Sequence, residues 1–94
     1  MSLDRDERRT TSAELHANLD LAGLTVDDVA HDLGLPPADV RDALGITPAT
    51  SPVLVWKLRD HLEAAARAAG HDPVPYTHLP EHMRAAARGW FGVE

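Results

Sequence analysis

Between Leu24 and Gly45 the chain reads LTVDDVAHDLGLPPADVRDALG, and this run restricts the fold more than any other. Thr25 can cap a helix, and Val26, Val29, Ala30 and Leu33 then share one helical face. Leu24 can staple against Val29 across that cap. Gly34 can take the positive φ that a helix C-terminus favours, and Leu35 plugs the turn. Pro36-Pro37 starts a further helix, because proline is tolerated in a first turn where N–H groups have no helical partner. Val40 and Leu44 face inward there, and Gly45 ends it. The reading is two short helices joined by a tight turn.

The flanking sequence is helical as well. Thr11 stands three residues before Glu14, a capping-box spacing in which hydroxyl and carboxylate satisfy orphan N–H groups reciprocally. Leu15, Leu19 and Ala22 follow on one face, and Gly23 closes the first helix. Arg8 extends that face one turn backwards, so residues 1–9 read either as helix or as a flexible arm. Residues 46–51, ITPATS, form a linker. Ser51-Pro52 opens what reads as the longest helix, with the stripe Leu54, Val55, Leu58, Leu62, Ala65, Ala66 and Ala69 and an end at Gly70. The Pro-rich connector HDPVPYT follows, then a final helix with Leu79, Met83, Ala86, Ala87, Trp90 and Phe91 on one side. Val53–Trp56 is β-prone, but it continues a helix start, and no other strand signal is longer. The expected fold is all-α, five helices in one domain over residues 1–94.

Charge and composition narrow the setting. With no cysteine there is no disulfide and no thiolate chemistry. The start MSLDRDERR has no apolar run of the kind a signal peptide needs. No apolar stretch approaches the roughly 20 residues that span a bilayer, so a soluble cytoplasmic protein without membrane contact is expected. The net charge of −6 disfavours nonspecific attraction to phosphate or to anionic membranes. Residues 10–35 hold five acids and no Lys or Arg.

The order helix, helix-turn-helix, linker, long helix, final helix is similar to lambda-repressor-like DNA-binding domains. The residues that carry the likeness are Leu24-Thr25, Val29-Ala30 and Leu33-Gly34-Leu35, with Val40 packing back between the two helices. The helix-turn-helix unit spans residues 25–45. The whole chain also resembles a family of short bacterial proteins, domain of unknown function 2316. That likeness rests on Glu7-Arg8-Arg9, Thr11–Leu15, Asn18-Leu19, Gly23-Leu24, Val55-Trp56, Leu58-Arg59-Asp60 and Pro73–Tyr76. This second resemblance implies no particular activity.

The first resemblance implies double-stranded DNA as partner, with the helix from Pro37 to Leu44 in the major groove. Direct readout wants forked donors, and on the exposed early face only Arg41 qualifies, beside Ala38. Phosphate contacts fall to Arg5, Arg8 and Arg9 and to the linker hydroxyls Thr47, Thr50 and Ser51. Opposing them, residues 24–45 hold Asp27, Asp28, Asp32, Asp39 and Asp42 against the one cation Arg41. Two functions are therefore expected: a weak DNA-binding transcriptional regulator, or a protein-interaction module that keeps the fold without readout.

Trp56 lies roughly opposite the Leu54–Leu58–Leu62 stripe, so it either packs under the N-terminal segment or the connector or anchors a partner. Trp90 and Phe91 share that ambiguity, as core or as the face of a homodimer. His78 and His82 have the i, i+4 spacing of a zinc pair, but Pro80 intervenes and nothing completes a ligand set, so no metal is expected. No spacing sets a nucleophile beside a base and no Gly-rich loop follows a strand, so neither enzyme chemistry nor a cofactor is expected.

Overall fold

The structure of the chain, a computed structural model, describes residues 4–79. Among the described residues there are four α-helices and no strand: α1 (Arg5–Ala22), α2 (Val26–Leu33), α3 (Pro37–Gly45) and α4 (Pro52–Ala68). The described residues are all-α, as expected. Of the stripe assigned to a fifth helix, Leu79 is buried, and Met83, Ala86, Ala87, Trp90 and Phe91 lie outside the described residues.

α1 starts earlier than its sequence pattern suggested. Its cap is Asp4, whose carboxylate accepts from the Glu7 N–H at 2.8 Å while the Glu7 side chain accepts from the Asp4 N–H at 3.0 Å. This box has the same spacing as the one expected at Thr11 and Glu14, with two acids in place of hydroxyl and acid. Asp6 and Glu7 also suit the positive end of the helix dipole. Residues 5–9 are therefore helix, not an arm, and at 18 residues α1 exceeds the 17 of α4, which had read as the longest helix. Thr11 sits inside α1, fully buried, and its hydroxyl donates back to the Glu7 carbonyl at 2.8 Å.

All four helices end in one hydrogen-bonding pattern, two backbone N–H groups just past the helix reaching back to its last turn. After α2 these are Gly34 N to His31 O and Leu35 N to Ala30 O. The motif needs a left-handed residue, which is Gly34 (φ 68°) there but Ile46 (φ 48°) after α3. Gly45 was expected to make that end. It is instead the last residue of α3, and a β-branched side chain takes the strained position. Ile46 is half-buried against the core, and apolar burial worth about 1.5–3 kcal/mol when complete offsets roughly 1–2 kcal/mol of left-handed strain.

α1 packs on α4 and α3, α3 on α4, and α2 on α3, around Leu15, Val29, Val40, Leu44, Leu58 and Leu62. The connector after α4 is tied to this bundle by side chains. The Asn18 amide, fully buried, accepts from the Val74 N–H at 2.6 Å and donates to the Val74 carbonyl at 3.0 Å. Glu14 accepts from the Thr77 N–H and hydroxyl, the latter at 2.7 Å. Arg59, only 3% exposed, donates from Nε to the Leu79 carbonyl at 2.8 Å and pairs with Asp60 and Glu63. Its guanidinium lies 5.3 Å from the Trp56 ring centre and 5.0 Å from that of Tyr76. Burial pushes the Tyr76 phenol up, with Asn18 and the Arg59 charge acting against it. Trp56 is thus buried within the chain beside Arg59, where its ring is not offered as an anchor to a partner.

Candidate functional site

Arg5, Arg8, Arg9 and Ser12 recur at i, i+3, i+4 and i+7, so at 100° per residue they share one side of α1. That side meets the turn after α3, because the Ser12 hydroxyl donates to the Leu44 carbonyl at 2.6 Å. The result is an open groove of about 440 Å³ lined by the three arginines, Ser12 and the turn Gly45–Pro48. No carboxylate lines it among the described residues. Nor does an ion pair join Arg5, Arg8 or Arg9 to an acid among them. Of the acids in the first turn of α1, Asp4 and Glu7 form the capping box, Glu7 Oε2 is also 3.4 Å from His78 Nδ1, and Asp6 is exposed beside Arg5.

The acids of residues 24–45 are not spread evenly over the surface. The Thr25 N–H and hydroxyl hold the Asp28 carboxyl below its usual range, and that side chain completes the α2 cap. Asp32 meets His61 of α4 at 3.2 Å. On α3 the buried positions Val40, Ala43 and Leu44 leave Ala38 and Gly45 at the centre of the outer face. Helical spacing puts Arg41 on one flank of that line and Asp39 and Asp42 on the other. Both acids line a second cleft, about 220 Å³, with Ala49, Thr50, Ser51 and Leu54 at the start of α4. The acidic and basic grooves are therefore separate features flanking α3.

The expected site residues divide accordingly. Arg5, Arg8, Arg9 and Thr47 come together in one groove. Ala38 and Arg41 are exposed on α3 outside its lining. Thr47 requires a correction as a hydroxyl donor: its Oγ1 is enclosed, as is that of Thr50, and neither has a hydrogen-bond partner among the described residues. The Ser51 hydroxyl accepts from the Leu54 N–H and caps α4. Ser12, Ile46 and Pro48 are groove walls outside the expected set. Ser12 shares a helical side with Arg5 and Arg8, so only the partner of that side was hidden from the sequence. Of the histidine pair, His78 lies against Glu7, and His82 is outside the described residues. Among the described residues no group of three His, Cys, Asp or Glu side chains is placed to hold a metal. No helix there is long and apolar enough to cross a membrane.

The chain belongs to a family of uncharacterized proteins conserved in bacteria, DUF2316, whose model matches residues 1–92. No curated protein and no solved structure matches it.

Proposed function

We propose that α2 and α3 are a lambda-repressor-like helix-turn-helix and that the protein is a weak DNA-binding regulator of transcription in the bacterial cytoplasm. The observation that carries this reading is the groove that Arg5, Arg8 and Arg9 line beside the C-terminal end of α3, with no carboxylate in its lining among the described residues. In this reading α3 enters the major groove, Arg41 reads a base edge, and the three arginines hold the phosphate strand beside it. The role is binding and not catalysis. Two copies in a dimer set half-sites about 34 Å apart, one turn of the duplex.

Fluorescence anisotropy of the full chain with a random duplex library across a salt series tests it. Three phosphate contacts give a log–log salt slope near −2.7, about a 40-fold loss between 50 and 200 mM salt. Arg8→Ala reduces the slope by about one and weakens all sequences alike, whereas Arg41→Ala removes sequence preference. Absence of binding at about 50 mM salt refutes the reading.

The exposed acids of α2 and α3 favour a second reading, an interaction module that keeps the helix pair without readout and meets a basic partner. It predicts that Asp39→Asn with Asp42→Asn strengthens DNA binding little. The first reading predicts a clear gain, since two like charges leave the edge of the phosphate path.

A further inference from the structure

The groove is open to solvent over most of its extent, with a volume of about 440 Å³, and the turn Gly45–Pro48 forms one side of it. Three arginines from two turns of α1 line the groove together with Ile46 and Pro48, which add apolar surface to it. Guanidinium forks suit a phosphate with two or three free oxygens, which they bind bidentately. A flat apolar group attached to that phosphate can lie along Ile46 and Pro48. Ile46 holds its left-handed backbone as the cap of α3 and packs in part against the core, which anchors the turn on this side of the groove.

We infer that this groove binds a nucleoside monophosphate, with the phosphate on Arg5, Arg8 and Arg9 and the nucleoside against Ile46 and Pro48. The inference deepens the preceding reading, because the same guanidiniums are there assigned to DNA phosphates. A free nucleotide then competes with the duplex for one cationic seat.

The test is a titration of the isotope-labelled full chain with adenosine monophosphate, inorganic phosphate and adenosine, at constant ionic strength, followed by amide chemical shifts. The expected result is saturable shifts at Ser12, Gly45, Ile46 and Thr47, with the nucleotide at least about tenfold tighter than phosphate or adenosine alone. That factor corresponds to about 1.4 kcal/mol. Arg8→Ala and Arg9→Ala each weaken the nucleotide at least tenfold. Arg67→Ala, on the exposed side of α4 and paired with Glu63, leaves it unchanged. Non-saturating shifts scattered over the surface, or an unaltered affinity in Arg8→Ala, overturn the inference. DNA binding without nucleotide binding overturns this inference alone. Nucleotide binding in the groove without DNA binding supports it and overturns the DNA reading.

Discussion

Asn18 is the side chain whose loss has the most readable consequence. It is fully buried in α1, and its amide satisfies both backbone groups of Val74, 56 residues away, at 2.6 and 3.0 Å. Asn18→Ala removes both bonds at once. Each contributes a net of about 1 kcal/mol, and the half-buried Val74 N–H and carbonyl left behind add a desolvation cost of similar size between them. The expected loss is about 2–3 kcal/mol, a large part of the roughly 5–14 kcal/mol typical of a chain this size. For a domain of under 100 residues it lowers Tm by about 10–20 °C. Urea and thermal unfolding followed by circular dichroism measure it, with tryptophan fluorescence in a Trp90→Phe background, where Trp56 is the one indole, reporting the same core through its neighbours Arg59 and Tyr76. Coincident transitions by both probes license the two-state reading.

Asn18→Asp separates the hydrogen bonds from side-chain volume. The carboxylate keeps the acceptor for Val74 N–H but sets a buried charge against the Val74 carbonyl, so its pKa in the folded chain rises above the unfolded value near 3.9. A raised folded pKa means that the protonated form, which can donate to that carbonyl, stabilises the fold. This stabilisation is fully present below about pH 3.9 and is lost as pH rises through the higher folded value. The stability gap to the native chain is therefore widest at neutral pH and narrows on acidification. A Tm within about 3 °C of native for Asn18→Ala, or a gap for Asn18→Asp that does not vary with pH, would falsify the clamp.

The other predictions concern the helix ends. Gly34→Ala costs about 1–2 kcal/mol through its left-handed backbone alone, since nothing lies within 4 Å of the added Cβ. Gly45→Ala has the opposite sign, a gain of about 0.5–1 kcal/mol, because Gly45 is helical and its Cβ meets Thr47 Cγ2 at an ordinary 3.5 Å. Denaturant midpoints decide both, and destabilisation by Gly45→Ala would return the left-handed position to residue 45. At the start of α2 the Asp28 pKa is lowered by its bonds to Thr25, so its stabilisation is present above the unfolded value of 3.8 and is lost as pH falls through the lower folded one. The Thr25 amide shift should titrate below that value, and Asp28→Asn should abolish the titration. A midpoint at or above 3.8 contradicts the capping-box assignment.

These ends also show what the sequence revealed and what it hid. The boundaries of α2 and α4 were legible because Thr25 and Ser51-Pro52 are strong local start signals. Gly34 likewise stands where a left-handed residue must follow a face of Val29, Ala30 and Leu33. Local rules failed where two satisfied the same spacing. Asp4–Glu7 and Thr11–Glu14 are both capping boxes, and the choice rested on long-range partners, Glu14 being taken by Thr77 and Thr11 by the interior of α1. They failed again where tertiary burial outweighed backbone preference, at Ile46. Asn18 and Arg59 did leave a signal, as an amide among the apolar positions Leu15 and Ala22 and a cation among Val55, Leu62 and Ala66. A polar group on an apolar stripe implies a buried partner, but here the partners are backbone atoms of the connector, which no side-chain pattern marks. The candidate site repeats that division. One sequence stripe, Arg5, Arg8, Arg9 and Ser12, supplies the cations, and the packing of α1 against the end of α3 makes them a groove. The acid count of the helix pair alone argued against an anionic ligand. Asp28 caps α2, Asp32 lies against His61, and Asp39 and Asp42 line a different cleft, so among the described residues none of these acids lines the arginine groove, and their count alone does not decide what that groove can hold.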